Sequence, residues 1–268
     1  MKIKYFIINK FFHLVGYLPG YFRKKIFKIK DICFVPTNYY FLPKNNHPIL
    51  TNFEQQKKII KRFKETEEEI TFKTYPKLVT LLKKKFSKDE SFNFLDFGGD
   101  QIDQYLILKK KFKNIKYFII NQKQINNDFL KIKEMYGYKD LNVINDINKI
   151  DINYYDFVNF GSVLQYIDDY EVLLDKILPK VKKYVLVSGT HFYNTGSERK
   201  FYIVKQVNLL PRKLYLYFFK LDIFLDKFKK YDLKVIHSEK NQTHNINYEN
   251  FTAINMVDLK YSDIFFKK

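Results

Sequence analysis

A pair of glycines behind an acidic residue is the part of this sequence whose residue types and spacing could most directly do chemistry. The apolar run 92–96 ends in Asp96, and Gly98 and Gly99 follow two and three residues later. Glycine lets a backbone approach a ligand closely, and a helix that follows such a turn presents unpaired N–H groups. The pattern is typical of a nucleotide-like cofactor site, and an ordinary strand-to-helix turn is the alternative.

The spacing of the glycines excludes one class of cofactor site. A dinucleotide-binding turn carries Gly-x-Gly-x-x-Gly, and this sequence has no third glycine after Gly99. Hydride transfer is therefore disfavoured. We also predict no catalytic metal, because a single cysteine provides no paired thiolates and His13, His47, His237 and His244 show no ligand spacing.

Alternating apolar runs and helical patterns must position the glycine turn. This alternation predicts an α/β fold with a parallel sheet, and two final strands without a helix between them would make the sheet mixed. The predicted strands are 92–96, 116–121, 141–144, 156–160, 184–188, 233–236 and 251–257, and the predicted helices between or after them are 101–112, 124–135, 168–178 and 222–231, with Asp168 as an N-cap.

The chain is predicted to have three parts. Residues 1–50 form a basic, aromatic appendage interrupted by proline turns, and residues 51–90 form a helical lead-in of two helices broken near Pro76. Residues 91–268 form the α/β domain. A long connection at 191–221, rich in Tyr and Phe with basic residues, is predicted to be either a substrate-binding element or a packed helical insertion.

Charge is spread unevenly along the 268 residues. The net charge of +19 divides into +12 over residues 1–90, +1 over 91–190 and +6 over 191–268. The first 30 residues carry eight basic side chains and no acid, which suits an anionic membrane surface or nucleic acid. Lysine-rich composition is the simpler cause. No transmembrane segment or signal peptide is predicted, and a lone cysteine favours the cytosol.

Two motifs together carry a family resemblance. The sequence Leu-Asp-Phe-Gly-Gly at 95–99 resembles motif I of class I S-adenosylmethionine-dependent methyltransferases. The segment 156–168, with Ser-Val-Leu-Gln-Tyr at 162–166, is similar to a methyltransferase group found in surface-polysaccharide gene clusters. The resemblance continues through 185–192 and 204–207 and covers roughly residues 50–250. It implies a Rossmann-like sandwich with a mostly parallel seven-stranded sheet and a final antiparallel strand.

The resemblance implies S-adenosylmethionine as cofactor and assigns residues to it. Asp96, Gly98 and Gly99 would hold its amino-acid end, and Asn121 stands where an acidic residue usually contacts the ribose hydroxyls. The remaining positions implied near the adenine or the sulfonium are Asp146, Ile147, Asn159, Phe160, Gly161 and Ser162.

The acceptor would be a hydroxyl group on a saccharide or glycan, with His191 as the proton-removing base and Tyr166, Glu198 and Arg199 as substrate contacts. Base methylation is disfavoured, because the strand end 159–162 lacks Asn/Asp-Pro-Pro-aromatic. The sequence predicts neither the specific acceptor nor the oligomeric state.

Three positions depart from the family pattern. Asp100 and Ile102 replace residues that are usually small, and Asn121 supplies no carboxylate. These departures favour an alternative in which the chain is a non-catalytic binding or scaffold protein built on a methyltransferase fold. A third hypothesis places the basic N-terminus on an anionic membrane.

Overall fold

The protein is described by a computed structural model in which two compact units can be distinguished. We call residues 49–161, 175–186 and 267–268 the parallel-sheet unit, and residues 1–48, 162–174 and 187–266 the mixed-sheet unit. The structure describes residues 32–43, 52–66, 76–194, 199–206, 214–241, 246–247 and 258–268.

Four parallel strands form the centre of the parallel-sheet unit: β2 (Phe92–Phe97), β3 (Ile115–Ile120), β4 (Leu141–Val143) and β5 (Tyr155–Gly161). They are ordered β5-β2-β3-β4. Strand β2 is buried on both faces, as expected for a parallel strand covered by helices. The ring of Phe94 stacks 5.2 Å from Tyr117 and 5.4 Å from Phe157.

Four helices accompany these strands: α1 (Phe53–Glu65), α2 (Pro76–Lys85), α3 (Asp103–Lys111) and α4 (Lys123–Tyr136). Helix α1 begins at a capping box, in which Asn52 and Gln55 bond each other's backbone N–H. Helix α3 is buried along most of its length, and Ile107 and Leu108 are fully buried. It follows the glycine turn directly and therefore holds that turn against the core.

The mixed-sheet unit has both strand orientations. Strand β1 (Ile32–Pro36) pairs antiparallel with β7 (Phe201–Gln206), which pairs antiparallel with β8 (Leu214–Lys220). The pairs of β1 with β10 (Ile246–Asn247) and of β8 with β6 (Val181–Tyr193) are parallel. One hydrophobic cluster of this unit consists of Phe34, Tyr193, Val204, Leu216 and Phe218.

Two further α-helices and two further strands complete the set of described α-helices and strands. Helix α6 (Leu221–Lys229) follows β8, and strand β9 (Lys234–Lys240) pairs with β11 (Lys260–Lys267), which also pairs with β6. Helix α5 (Tyr170–Ile177) and strand β6 each contribute residues to both units. No described helix has both the length and the apolar character needed to cross a membrane.

The elements of the parallel-sheet unit agree with the predicted ones to within about two residues, whereas the late connection differs. Within the connection 191–221, the described residues are mainly strand: β6 extends to Tyr193, and β7 and β8 form an antiparallel pair. Aromatic and branched side chains favour strands over the helical insertion that was the alternative. With β1, β10 and β11, the described residues hold eleven strands, where seven were predicted.

Some predicted boundaries differ from those in the structure, and other predicted segments lie outside the residues that the structure describes. The helix predicted to start at Asp168 begins at Tyr170, and Asp168 instead accepts a hydrogen bond from Tyr217 Oη at 3.0 Å. The predicted final strand 251–257 and the basic segment 1–30 lie outside the described residues. The domain boundaries near residues 50 and 90 stay predictions.

Candidate functional site

The glycine turn lies where the strand order of the parallel-sheet unit reverses. The chain runs from β2 outward to β3 and β4, and then returns to β5 on the other side of β2. In open α/β sheets, ligands bind outside the carboxyl ends of the strands at such a switch point. Asp96 is the penultimate residue of β2 and is in register with Asn159 of β5.

The carboxylate of Asp96 is buried and bound from two sides. Tyr117 Oη donates to its Oδ2 at 2.6 Å, and Asn159 Nδ2 donates to its Oδ1 at 3.0 Å. Gln104 Nε2 donates in turn to Tyr117 Oη at 3.0 Å. Strands β2, β3 and β5 and helix α3 each contribute one side chain to this network, so it fixes the end of β2 relative to its neighbours.

Burial dominates the acid–base behaviour of Asp96. Removal from water raises the pKa of the carboxyl to about 6, although the hydrogen bonds from Tyr117 and Asn159 favour its ionised form. The nearby negative charge of Asp100 acts in the same direction as burial. The pKa of this carboxyl therefore lies well above that of an exposed aspartate.

Both glycines of the turn are required by its geometry. Gly98 has φ +82°, a conformation that side chains disfavour, and its N–H donates to Ile120 O at 2.8 Å. A Cβ atom on Gly99 would lie 2.0 Å from Asp96 Oδ2. Position 99 therefore requires glycine, because the buried carboxylate of Asp96 occupies the space that a side chain would need.

The two residues that depart from the family pattern after the glycines are held by helix α1. Gln56 Nε2 donates to Asp100 O at 2.6 Å, and Ile102 N donates to Gln56 Oε1 at 2.9 Å. Ile102 is fully buried, so its branched side chain contributes to the core. Burial raises the pKa of Asp100. Gln56 was missed in the sequence because a polar residue on an amphipathic helix gives no sign of its partner.

Asn121 is already engaged within the turn. Its Nδ2 donates to Gly99 O at 2.7 Å, and its Oδ1 accepts from Gln122 N at 2.7 Å. Its own N–H donates to Asn126 Oδ1 at 3.0 Å, and Asn126 Nδ2 also donates to Ile144 O and Asn145 Oδ1. Asn126, which the sequence did not single out, therefore ties the ends of β3 and β4 together.

The other residues of the parallel-sheet unit that were predicted to bind the cofactor differ from one another in burial and in hydrogen bonding. Asp146 caps a 3-10 helix at Ile147–Lys149 by accepting from Asn148 N at 2.9 Å. Phe160 is fully buried with its ring 5.6 Å from Phe97, and Gly161 is exposed at the end of β5. Hydrogen bonds thus connect Asp96 with Asn159 and Gly99 with Asn121, whereas Asp146 bonds locally.

In the mixed-sheet unit, His191 lies inside β6 and not in a loop beyond it. Its ring is stacked 4.5 Å from Phe218 and lies 4.9 Å from Phe34 and 4.7 Å from Tyr261. The side chain is buried. The role of His191 as a base stays a prediction, and an acceptor would have to reach it within this aromatic surrounding.

Ser162 belongs to a polar network centred on Gly189 of β6. Ser162 has φ +52°, and its Oγ lies 3.0 Å from Gly189 O and 3.2 Å from Tyr261 Oη. Asp263 Oδ1 accepts from Gly189 N at 2.8 Å and from Asn241 Nδ2 at 2.7 Å. Non-glycine residues with positive φ cluster at functional sites. Tyr261 and Asp263 were missed because no strand was predicted at 260–267.

Two of the three predicted substrate contacts lie in the part of the chain that the structure describes. Tyr166 lies in a 3-10 helix with about a third of its surface exposed, and removal from water raises the pKa of its phenol to about 12. The phenol is therefore a neutral donor at physiological pH. Arg199 is exposed, and Glu198 lies outside the described residues. No metal-binding group of three or more His, Cys, Asp or Glu side chains occurs in the described part of the chain.

Comparison with known proteins gives structural likeness alone. No protein-family model and no curated protein matches the chain. A proposed sarcosine dimethylglycine methyltransferase from Galdieria sulphuraria is 12% identical, with 74% of this chain and 86% of that chain covered and a TM-score of 0.50. A protein from Pyrococcus horikoshii is 11% identical, with 83% and 96% covered and a TM-score of 0.50.

A third similar structure is a 1,6-didemethyltoxoflavin-N1-methyltransferase from Burkholderia thailandensis with S-adenosylhomocysteine bound. It is 10% identical, with 87% of this chain and 99% of that chain covered and a TM-score of 0.47. Identities this low show the fold alone. The mixed α/β architecture is that of the Rossmann-like methyltransferase fold.

Proposed function

We propose that the protein is an S-adenosylmethionine-dependent methyltransferase. The observation that carries the proposal is the turn Phe97–Asp100, which places two adjacent glycines over a buried carboxylate at the switch point of the sheet. Because Gly99 has no side chain to collide with Asp96, the turn closes over the carboxylate and keeps its backbone at the carboxyl end of β2, where ligands of such sheets bind. Asp96, Gly98 and Gly99 would contact the amino-acid end of the methyl donor.

The donor would supply an electrophilic methyl group, so this chain's residues have to align an acceptor and exclude water. We propose that the acceptor is a hydroxyl group of a saccharide or glycan and that His191 removes its proton. The support is the resemblance of the segments 156–168 and 185–192 to a methyltransferase group of surface-polysaccharide clusters. We also propose that the protein acts in the cytosol.

A transfer assay tests this function. The full chain is incubated with methyl-labelled S-adenosylmethionine and size-fractionated oligosaccharides bearing free hydroxyls, and labelled saccharide and S-adenosylhomocysteine are quantified together. We expect labelled saccharide and S-adenosylhomocysteine in equal molar amounts, and less of each with the His191→Gln variant. S-adenosylhomocysteine without labelled saccharide, or no product with any fraction, would contradict the saccharide acceptor.

A non-catalytic binding protein is the second candidate, and the position of Asn121 favours it. The amide of Asn121 is bonded to Gly99 O and Gln122 N, so both of its ends are engaged within the turn. The donor's ribose would therefore have to displace these bonds or find other partners. Folded protein that binds neither S-adenosylmethionine nor S-adenosylhomocysteine would support this candidate over the enzyme.

A further inference from the structure

Aromatic side chains lie beside Arg199 in the mixed-sheet unit, and two of them, Tyr40 and Tyr202, contact its guanidinium. We call Tyr39, Tyr40, Phe41, Arg199 and Tyr202 the aromatic patch. The exposed fractions of its first three members are 50%, 68% and 82%. Exposing three consecutive aromatic side chains to water is energetically unfavourable. Contiguous exposed apolar surface is typical of interaction sites.

Backbone contacts hold the two segments of the aromatic patch side by side. Thr37 N and Thr37 Oγ1 both donate to Ile203 O, at 3.1 Å and 2.8 Å, and Tyr39 N donates to Thr37 Oγ1 at 3.3 Å. These bonds continue the pairing of β1 with β7. Residues 39–41 are thereby placed beside residues 199–202 by the sheet itself.

Buried tyrosines support the aromatic patch from below. Tyr193 Oη donates to Arg199 O at 2.5 Å, and its ring lies 5.2 Å from Tyr202. The ring of Tyr39 lies edge-on, 5.5 Å from buried Tyr215. The surface is therefore held in place before any partner arrives, which lowers the conformational cost of binding.

The guanidinium of Arg199 is placed between aromatic faces. Its central carbon lies 5.3 Å from the ring centres of both Tyr40 and Tyr202, and one nitrogen lies 3.5 Å from Tyr40 Oη. Such stacking orients the planar fork of the guanidinium, and that fork matches a carboxylate in two-point geometry. The aromatic patch thus combines flat apolar rings with one oriented cation.

We propose that the aromatic patch is a binding surface for an acidic saccharide, with a pyranose ring stacked on Tyr40 or Phe41 and its carboxylate on Arg199. The C–H face of a pyranose is apolar and flat, and the uronate group provides charge complementary to the guanidinium. The link of this surface to methyl transfer rests on the proposed function, because the bound glycan would be the acceptor or a neighbouring part of it.

The same chemistry fits nucleic acid or a membrane less well. Single-stranded nucleic acid is bound by stacking together with a groove of cations that follows the phosphates, whereas among the described residues Arg199 is the cation that contacts the rings of the aromatic patch. A membrane-surface helix needs a long apolar face. Here the rings lie on a short segment after a strand, and the phenols of Tyr39 and Tyr40 are polar.

Glycan binding is measured with the full chain and without a methyl donor. Affinity electrophoresis compares binding to polyglucuronate with binding to neutral dextran. An oligothymidylate and phosphatidylglycerol vesicles are tested as alternative ligands. The variants are Tyr40→Ala and Arg199→Ala, and the control is Tyr136→Ala, which removes a tyrosine that also lies under a basic side chain, Lys64 at 5.6 Å. Thermal unfolding verifies that each variant is folded.

We expect the unmodified protein to bind polyglucuronate more tightly than dextran, and each patch variant to bind it at least about fivefold more weakly, with Tyr136→Ala unchanged. The proposal is overturned by absent polyglucuronate binding, by unchanged affinity in folded patch variants, or by an equal loss in the control. Tighter binding of oligothymidylate or vesicles, lost in the patch variants, would also overturn it. S-adenosylhomocysteine binding, titrated separately on the same protein, reports independently on the proposed methyltransferase.

Discussion

The side-chain amide of Asn121 donates a hydrogen bond to the carbonyl oxygen of Gly99 at 2.7 Å. This bond joins the end of β3 to the turn after β2. The same side chain accepts from Gln122 N, so its amide bonds two backbone groups of the loop. Asn121 is thus a structural residue of the turn, whatever further contact it makes with a donor.

Replacing Asn121 by Asp tests that structural role. A carboxylate cannot donate to Gly99 O and would place negative charge against that oxygen, whereas the bond from Gln122 N would remain. We expect the free energy of unfolding to fall by about 1–3 kcal/mol in urea denaturation at pH 7.5. Asn127→Asp, on the exposed face of α4, is the control and should change it by less than about 0.5 kcal/mol. Equal stability of the two variants would refute the role.

Gly99→Ala tests the close approach of the turn to Asp96. The new Cβ would lie 2.0 Å from Oδ2 and 2.7 Å from Cγ of Asp96, so the turn or the buried network must move. We expect a loss of about 1–3 kcal/mol in the free energy of unfolding. Gly137→Ala meets no atom within 4 Å and carries only the strain of its φ of +66°, about 1 kcal/mol. A Gly99→Ala protein as stable as the unmodified one would contradict the described turn.

Asp96 should make stability depend on pH. Its folded-state pKa of about 6 lies above the ordinary value of 3.8, so the folded state holds this proton more tightly than the unfolded chain does. The resulting stability is present in full below pH 3.8 and is lost as the pH rises through 6. The shift corresponds to roughly 3 kcal/mol.

The measurement for Asp96 is urea denaturation of the unmodified protein and of Asp96→Asn between pH 4 and 7.5. We expect the unmodified protein to lose stability relative to the variant as pH rises, by up to roughly 3 kcal/mol. Asp89→Asn, which removes a carboxylate whose side chain is 75% exposed, is the control variant. Parallel profiles for the unmodified protein and Asp96→Asn would show that the carboxyl is not perturbed.

In the mixed-sheet unit, Gly189 and Ser162 should be energetically coupled. An alanine Cβ at 189 would lie 2.0 Å from Ser162 Oγ, and Ser162 itself has φ +52°. Ser162→Gly removes the nearer of two obstructing hydroxyls, the other being Tyr261 Oη at 2.6 Å, together with the backbone strain at 162. In a double-mutant cycle, we expect Ser162→Gly to recover about 1 kcal/mol or more of the loss caused by Gly189→Ala. Strict additivity would exclude the contact.

The parallel-sheet unit was largely predictable, whereas its polar contacts were not. Runs such as 92–97 and 115–120 are apolar and bounded by turn residues, so their strand assignment follows from composition. The run Leu214–Lys220 is equally apolar, but such a run does not distinguish a buried strand from a buried helix, and the pairing of β8 with β7 was missed for that reason.

The glycine turn was also identified from sequence, because adjacent glycines after an acid-ended strand are a local pattern. The partners of Asp96 are not local: Tyr117 and Asn159 are 21 and 63 residues away. The engagement of Asn121 with Gly99 depends on a side-chain rotamer that no spacing rule specifies. The aromatic patch likewise joins residues 159 positions apart, Tyr40 and Arg199.

Binding of the methyl donor's product tests the central claim most directly. Isothermal titration of the folded full chain with S-adenosylhomocysteine should give saturable, one-site binding, and Gly99→Ala should weaken it while Gly137→Ala should not. Absence of binding at millimolar S-adenosylhomocysteine and S-adenosylmethionine, to protein whose folding is verified, would contradict the methyltransferase assignment.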